Sequence, residues 1–350
     1  MISSTLKTAA KIYHPIRQHH PIEAQCSLPK SVFEVNNATY WRDFGSSTLF
    51  GWFAFGLLGK LEFNSGYFWL LSIAASLAFY RSLTFIHEIS HQQNNKKFSR
   101  SFILAWQILV GMPFLWITSH YNCHLAHHNV RQFKTDKDLH YFVLQGHRWE
   151  IFKLIVLIPA IAPLILSIRF GVLSWLSVFS KRLRSYSISR LSSIGNLERL
   201  ASFTTKQKQE LYQQEVVLFV YLLSVFCLFI TATIPLRYIG IWYIVSVLIW
   251  YLKMWRVISE HKYDAIVDQP LSKPEHVLDT HTHKTTWLTL LLFPLGTRYH
   301  ALHHMHPGIP YHNLPLAHQL LIDNLPKEHF YRATERARYT DTFRQLWQKF

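Results

Sequence analysis

Long uncharged runs that occur in closely spaced pairs constrain this chain most. Residues 44–59 and 63–80 contain no charged side chain, and only three residues separate them. A second pair, 216–235 and 238–252, is joined through Arg237. About 20 apolar residues in a helix cross the hydrocarbon core of a bilayer. The two pairs therefore predict two transmembrane helical hairpins, each of which returns the chain to the side from which it started.

Histidines cluster just beyond the ends of the apolar runs. Two clusters have the spacing i, i+3, i+4, one has the spacing i, i+4, and one further histidine follows the last run. The residues are His87, His91, His124, His127, His128, His261, His300, His303 and His304. On a helix, this spacing places the imidazoles of a cluster on one face, and neutral imidazole is a good ligand for iron, zinc or copper. Nine imidazoles are more than one metal ion needs, so the clusters predict two metals that share a site.

Two other apolar runs, 101–119 and 151–180, are interrupted by prolines and, in the second, by charges. Clusters on one side of a membrane require an even number of crossings between them, so 101–119 is predicted to be half-buried or re-entrant. Run 151–180 is either a true span or an interfacial helical hairpin. The strongly basic stretch 181–208 is predicted to be cytosolic by the positive-inside tendency, which favours the interfacial interpretation.

These runs predict an all-α multi-span membrane protein with four transmembrane helices in two hairpins. A cytosolic helical cap carries the histidine clusters, and both termini are predicted to be cytosolic. The chain divides into a cytosolic N-terminal segment at 1–43, a membrane domain at 44–318 and a cytosolic C-terminal tail at 319–350.

Composition limits the classes of partner and cofactor that the protein is expected to bind. Only 16% of the residues are charged, against about 25% in an ordinary soluble domain. The net charge is +16, but Lys and Arg flank the apolar runs instead of forming one basic domain. We therefore expect contact with anionic lipid headgroups and no nucleic-acid partner. Cys26, Cys123 and Cys227 are scattered without a CxxC motif, which argues against a disulfide framework and against an iron–sulfur cluster.

The histidine clusters match a known pattern. The sequences HEISH at 87–91, HLAHH at 124–128 and HALHH at 300–304 resemble the three histidine boxes of the membrane fatty-acid desaturase and hydroxylase superfamily. Segments 111–113 and 307–315 also resemble the family's sequence around its boxes. The resemblance covers roughly residues 44–318, which would make this stretch a desaturase-like membrane domain.

The resemblance implies a membrane oxidoreductase with a non-haem di-iron site that uses dioxygen and two externally supplied electrons. All eight box histidines would be iron ligands, His261 would be an additional ligand, and no catalytic residue separate from the ligands is implied. Histidine ligands usually have their second ring nitrogen held by a carboxylate or carbonyl. The candidates for this role are Glu88, Asp136, Asp138, Glu260 and Asp264.

The leading functional prediction is a desaturase of fatty acid biosynthesis that introduces a double bond into an acyl-lipid or acyl-thioester. No fused HPGG motif is present, so a ferredoxin, rubredoxin or cytochrome would supply the electrons. One alternative is a hydroxylase or ketolase of carotenoid or another lipid. Another is a histidine-rich metal transporter or metal-binding membrane protein. Transport requires polar ligands at the bilayer midplane, and runs 216–235 and 238–252 contain no histidine or acidic residue.

Overall fold

The computed structural model describes residues 28–92, 94–191 and 203–348, and it is mostly helical. Residues 1–27 of the predicted N-terminal segment lie outside this range. The α-helices are α1 (Asn37–Leu58), α2 (Gly66–Gln92), α3 (Arg100–Trp106), α4 (Asn122–His127), α5 (Arg148–Leu176), α6 (Lys181–Arg190), α7 (Thr205–Ile230), α8 (Arg237–Val257), α9 (Lys273–Leu278), α10 (Trp287–Leu292), α11 (His300–Met305), α12 (Leu314–Asn324) and α13 (Tyr339–Trp347). Two short parallel strands, β1 (Thr282–His283) and β2 (Glu335–Arg336), pair with each other.

Four of these helices, α2, α5, α7 and α8, are long and apolar enough to cross a membrane. The prediction of a helical, multi-pass membrane protein is thereby confirmed. The set of four differs from the predicted set in one member. Helix α1 corresponds to the predicted first span but is not among the four, whereas α5, which was predicted to be interfacial, is.

Helices α1 and α2 form the first predicted hairpin. The Tyr40 hydroxyl near the start of α1 donates a hydrogen bond of 2.6 Å to Glu88 near the end of α2. Further along, the hydroxyls of Thr48 and Ser82 lie 3.1 Å apart. Because the residue numbers run in opposite directions along the contact, the two helices are antiparallel. The C-terminal end of α2 therefore lies beside the beginning of α1.

Helices α7 and α8 form the second hairpin, and the turns of both hairpins meet. The Arg237 guanidinium donates to the Leu61 carbonyl at 2.6 Å, and the Tyr238 hydroxyl donates to the Gly56 carbonyl at 3.0 Å. The opposite end of α8 is followed by His261. Both hairpins thus have their connections at one end of the molecule and their histidines at the other, which we call the histidine end.

Helix α5 starts and finishes at the histidine end. Just before it, the Leu144 N–H donates to the Tyr263 carbonyl at 2.9 Å, two residues after His261. Near its C-terminal end, Arg169 forms a buried ion pair with Glu215 in the early part of α7. These contacts place the beginning of α5 and Arg169 on the side of the histidines. The middle of α5 packs on α8, where the Tyr243 hydroxyl donates to the Ala160 carbonyl at 2.8 Å. The interfacial arrangement of α5 stays a prediction.

The apolar helix between the first two histidine clusters is too short to cross a bilayer. The apolar helix that begins with α3 runs from Arg100 to Gly111, about 18 Å at 1.5 Å per residue, against a core of about 30 Å. The Trp106 indole donates to the Ser82 carbonyl at 2.9 Å, which fixes this helix against α2. A side chain at Gly111 would meet Trp106 at 2.8 Å, so only glycine fits where the helix ends. This geometry agrees with the half-buried segment predicted at 101–119.

The C-terminal residues pack onto the helical cap. Helix α12 runs through the predicted boundary between residues 318 and 319. Farther along, β2 pairs with β1 of the cap, and the Gly146 N–H donates to the Leu346 carbonyl at 2.9 Å. Leu346 itself is buried. Residues up to Gln348 are therefore continuous with the cap and stabilise it.

Candidate metal centre

The nine predicted histidines come together in two groups, within each of which the ligand nitrogens all lie within 4.8 Å of one another. The first group is His87, His91, His124, His128 and His303, and the second is His127, His261, His300 and His304. All nine are buried or half-buried. The fold therefore assembles residues from α2, α4, α11 and the end of α8 into one site with two centres.

Each HxxHH cluster contributes to both groups. In α11, His300 and His304 belong to the second group and His303 to the first. Helical geometry accounts for this division, because residues i+4 and i+3 are rotated from residue i by about 40° and 60° in opposite directions. In the other cluster His127 likewise belongs to a different group from His124 and His128. The i, i+4 pair thus faces one centre, and the intervening histidine faces the other.

Ring nitrogens of different histidines converge closely. The Nε2 atom of His261 lies 2.9 Å from the Nε2 atoms of both His127 and His300. In the first group, the Nε2 atom of His303 lies 3.1 Å from that of His91 and 3.2 Å from that of His128. A neutral imidazole nitrogen either donates one proton or offers one lone pair. Hydrogen bonding alone therefore satisfies only part of these contacts.

The tautomers favoured by the surrounding carboxylates sharpen this point. His127 Nδ1 lies 2.8 Å from Asp138 Oδ2, and His261 Nδ1 lies 3.3 Å from Asp279 Oδ2. A carboxylate beside Nδ1 favours a proton there, which leaves the lone pair on Nε2. The Nε2 lone pair of His127 then faces Nε2 of His261 at 2.9 Å. A shared metal ion would bind a lone pair on each of these two atoms.

The nitrogen spacing fits metal coordination. With metal–nitrogen distances of about 2.1 Å, ligands at right angles are separated by about 3.0 Å and tetrahedral ligands by about 3.4 Å. The observed contacts within the groups are 2.9–3.2 Å. In addition, both ring nitrogens of the buried His87 have no hydrogen-bond partner among the described residues. The donor set therefore fits two metal ions.

Burial keeps these imidazoles neutral. Loss of solvent, followed by repulsion from neighbouring imidazoles, lowers the pKa of several histidines well below its usual value. Among the groups outside the apolar helices, these are His124, His128, His261, His300, His303 and His304. A neutral imidazole has a free lone pair and can coordinate a metal without first losing a proton.

Carboxylates outside the groups orient the ligands. Burial alone would raise the pKa of Asp138, but the charge and hydrogen bond of His127 hold it below its usual range. The Lys134 backbone N–H also donates to Asp138 Oδ2 at 3.0 Å. The Lys134 ammonium donates to Asp279 Oδ1 at 3.0 Å, on the carboxylate that faces His261. One lysine therefore supports the partners of two histidines in the second group.

Of the five candidate carboxylates, three lie beside ligand histidines. Asp138 makes the contact just described, Glu260 Oε1 lies 3.9 Å from His300 Nδ1, and Glu88 Oε1 lies 3.7 Å from His87 Nδ1. Asp264 pairs with Lys134 instead, and Asp136 is exposed. Asp136 and Asp264 therefore do not hold histidines as predicted. Asp136 points to solvent from the loop that holds Asp138, and Asp264 contacts Lys134 in place of a histidine.

Two further residues at the site were not predicted. Asp279 faces His261, and His276 Nε2 lies 2.8 Å from His304 Nδ1. Both come from the polar stretch around α9, where no spacing relates them to the clusters. Their positions depend on how that stretch folds back over the site.

A cavity of about 140 Å³ adjoins both groups. Five of the nine histidines form part of its wall: His87, His124, His127, His261 and His300. Much of the remaining wall is apolar or aromatic and includes Leu115, Ile117 and Trp250. A cavity of this kind can hold an alkyl group beside the centre and exclude water from it.

The sequence is similar to known proteins over most of its length. Residues 65–335 match the profile of the family described as fatty acid desaturase. The chain is also 28% identical over 334 residues to the ceramide hydroxylase of Caulobacter vibrioides (strain NA1000 / CB15N), and this alignment covers 92% of the present chain and 93% of the relative. The chain therefore belongs to the fatty acid desaturase family of membrane oxidoreductases, which use dioxygen.

Proposed function

We propose that this protein is a membrane di-iron enzyme that uses dioxygen and two electrons from a separate carrier to oxidise a C–H bond of a lipid. The observation that carries the proposal is the grouping of nine buried or half-buried histidines into sets of five and four beside an apolar-walled cavity. Such a donor set suits first-row metals, and activation of dioxygen favours iron over zinc, which has no redox chemistry.

The residues of the chain have distinct tasks in this scheme. Iron held by the nine histidines would supply the activation of dioxygen that an unactivated C–H bond requires. Asp138 holds a proton at Nδ1 of His127, so that its Nε2 atom remains available to the metal, and Asp279 lies 3.3 Å from Nδ1 of His261. The apolar wall positions the alkyl group and excludes water.

Hydroxylation of a ceramide-type lipid is the outcome we favour, because the relative named ceramide hydroxylase aligns along nearly the whole chain. In that reaction one C–H bond is replaced by C–OH. The second oxygen atom leaves as water after taking up two electrons and two protons. The substrate would then combine a long alkyl chain with an amide and hydroxyl groups.

Desaturation is the second candidate, because the matching family is described as fatty acid desaturase. Here two hydrogens leave adjacent carbons as a double bond forms. Both oxygen atoms are released as water, with the same two electrons and two further protons. The histidine groups are compatible with either outcome.

One experiment separates these outcomes. The protein and its His303→Ala variant are expressed in a host that makes ceramides, dioxygen labelled with oxygen-18 is supplied, and total lipids are analysed by mass spectrometry. Hydroxylation predicts a new lipid that carries one labelled oxygen, and desaturation predicts a lipid two hydrogens lighter without label. Neither product should form with the variant. An unchanged lipid profile with an iron-loaded wild-type protein would contradict the proposed function.

The electron donor and the orientation complete the proposal. The sequence contains no fused HPGG motif. A separate ferredoxin, rubredoxin or cytochrome would therefore dock on the protein and supply the electrons. Basic residues such as Lys181 and Arg184 begin α6 directly after α5, at the histidine end. By the positive-inside tendency, this end, with the active site and both termini, would face the cytosol.

A further inference from the structure

Two basic side chains line the cavity beside the metal centre. Arg256 and Lys253 lie one turn apart near the end of α8, and both line the cavity together with His261 and His300. A charged side chain in an apolar helix is costly to bury and usually marks a functional site. Neither residue is a member of the two histidine groups.

Arg256 retains unused hydrogen-bonding capacity. It is 6% exposed, and its Nε atom lies 3.2 Å from Glu260 Oε1. Its Nη1 atom has no hydrogen-bond partner among the described residues. A buried donor without a partner is destabilising, so an oxygen atom supplied by a ligand would satisfy it.

Lys253 is held without forming an ion pair among the described residues. Its ammonium lies 4.6 Å from the centre of the Trp116 ring and 4.3 Å from that of Trp250. Aromatic faces attract an ammonium group but accept no conventional hydrogen bond from it. The cavity wall therefore holds two basic side chains and one carboxylate, Glu260. This lining suits a ligand rich in acceptor oxygens.

Arg256 also lies close to the second histidine group. Glu260 Oε1 lies 3.2 Å from Arg256 Nε and 3.9 Å from His300 Nδ1. Because both contacts share one oxygen, the guanidinium cannot be farther from His300 than the sum of these distances. A cavity of about 140 Å³ accommodates roughly ten water-sized groups. A polar group bound to Arg256 would thus bring only nearby carbons to the centre.

We propose that Arg256 and Lys253 bind acceptor oxygens of the substrate's polar group, so that the oxidised carbon lies within a few bonds of that group. The proposal rests on the lipid-oxidising function above and specifies its substrate class and its position of attack. The acceptor is either the amide and hydroxyl oxygens of a ceramide or the carboxylate of a free fatty acid. A hydrocarbon segment remote from any polar group would not reach the centre.

The test uses purified, iron-loaded full-length protein in lipid nanodiscs. Wild type is compared with Arg256→Gln, Lys253→Met and the charge-preserving Arg256→Lys, and Lys284→Met serves as a control because Lys284 is exposed and outside the cavity. Equilibrium binding of a radiolabelled ceramide and of a free fatty acid with the same acyl chain is measured. KM, kcat, iron content and the position of the new group are determined in parallel.

We expect Arg256→Gln and Lys253→Met to weaken binding and raise KM by about ten- to a hundredfold, the effect of losing one hydrogen bond to a charged group. Iron content should not change, and Arg256→Lys should recover part of the binding. Loss of ceramide binding alone assigns the amide and hydroxyl oxygens, and loss of fatty-acid binding alone assigns the carboxylate.

Unchanged binding of both lipids in Arg256→Gln and Lys253→Met would overturn the subsite. So would oxidation by wild type at a carbon remote from the polar group. If wild-type protein bound a lipid through Arg256 but oxidised neither lipid, the proposed function would fail while the subsite stood. Binding therefore tests the subsite separately from activity.

Discussion

The Nε2 atoms of His127 and His261 lie 2.9 Å apart, although 134 residues separate them in the sequence. Helices α5, α7 and α8 all lie between them. Three complete crossings would place the two histidines on opposite faces of a membrane, so an even number must cross. Helices α7 and α8 each run from one end of the molecule to the other. In contrast, both ends of α5 lie at the histidine end.

This relationship predicts the accessibility of introduced cysteines. In a background with the native cysteines replaced by serine, Arg148→Cys and Lys181→Cys bracket α5, and both positions are exposed. Lys60→Cys lies in the turn of the first hairpin. We expect residues 148 and 181 to react with a membrane-impermeant maleimide from the same side and residue 60 from the other. Labelling of 148 and 181 from opposite sides would contradict the interfacial arrangement of α5.

The division of the histidines predicts a stepwise loss of metal. His261→Ala removes one of four ligands from the second group and leaves the first intact. The purified variant should therefore retain about half of the wild-type iron, since first-row metals need four to six ligands. Iron per chain is measured by mass spectrometry of the purified protein.

His306→Ala is the matched control for that experiment, because His306 follows the third cluster but belongs to neither group. It should keep the full iron content. Complete loss of iron in His261→Ala would show that the two groups bind metal as one unit, and full retention would exclude His261 as a ligand.

Asp138 is predicted to tune metal affinity without touching the metal. Its Oδ2 atom lies 2.8 Å from His127 Nδ1 and fixes the orientation of that ring. Asp138→Asn preserves the shape but removes the charge, and changes of this type lower metal affinity by about ten- to a hundredfold. Competition with a chelator measures the change. Asp136 lies in the same loop but is exposed, so Asp136→Asn should leave the metal affinity unchanged. Equal effects of the two variants would refute the assignment of Asp138 as the residue that orients His127.

Helical spacing explains why the neighbours within each histidine cluster could be predicted from sequence. His300 and His304 face one centre because residues four apart share a helix face, and the same holds for His87 and His91. The partner of each pair across the fold could not be predicted, since it depends on how α2, α4 and α11 meet. Asp279 has no local signal at all: it reaches His261 only because the polar stretch around α9 folds back onto the site.

Hydropathy predicts which segments form apolar helices, but it predicts less well whether each helix crosses the membrane. It predicts α1, α2, α7 and α8 as spans and favours an interfacial arrangement for α5, whereas the four helices long and apolar enough to span include α5 and not α1. The deciding contacts, such as that between Arg169 and Glu215, join distant parts of the sequence. Such contacts leave no periodic pattern in the sequence.

The contact between Arg169 and Glu215 supports a final prediction about stability. Glu215 is buried and pairs with both Arg169 and Arg184, and it thereby joins α5, α6 and α7. Glu215→Gln would leave a fully buried arginine without its counter-ion, which costs about 3–5 kcal/mol. We expect a clearly lower Tm for the detergent-extracted variant. Glu210→Gln, whose pair with Lys206 is exposed, should change stability by at most about 1 kcal/mol. Equal Tm values for the two variants would mean that this ion pair does not anchor α5 to α7, and the support for placing both ends of α5 on one side would be weakened.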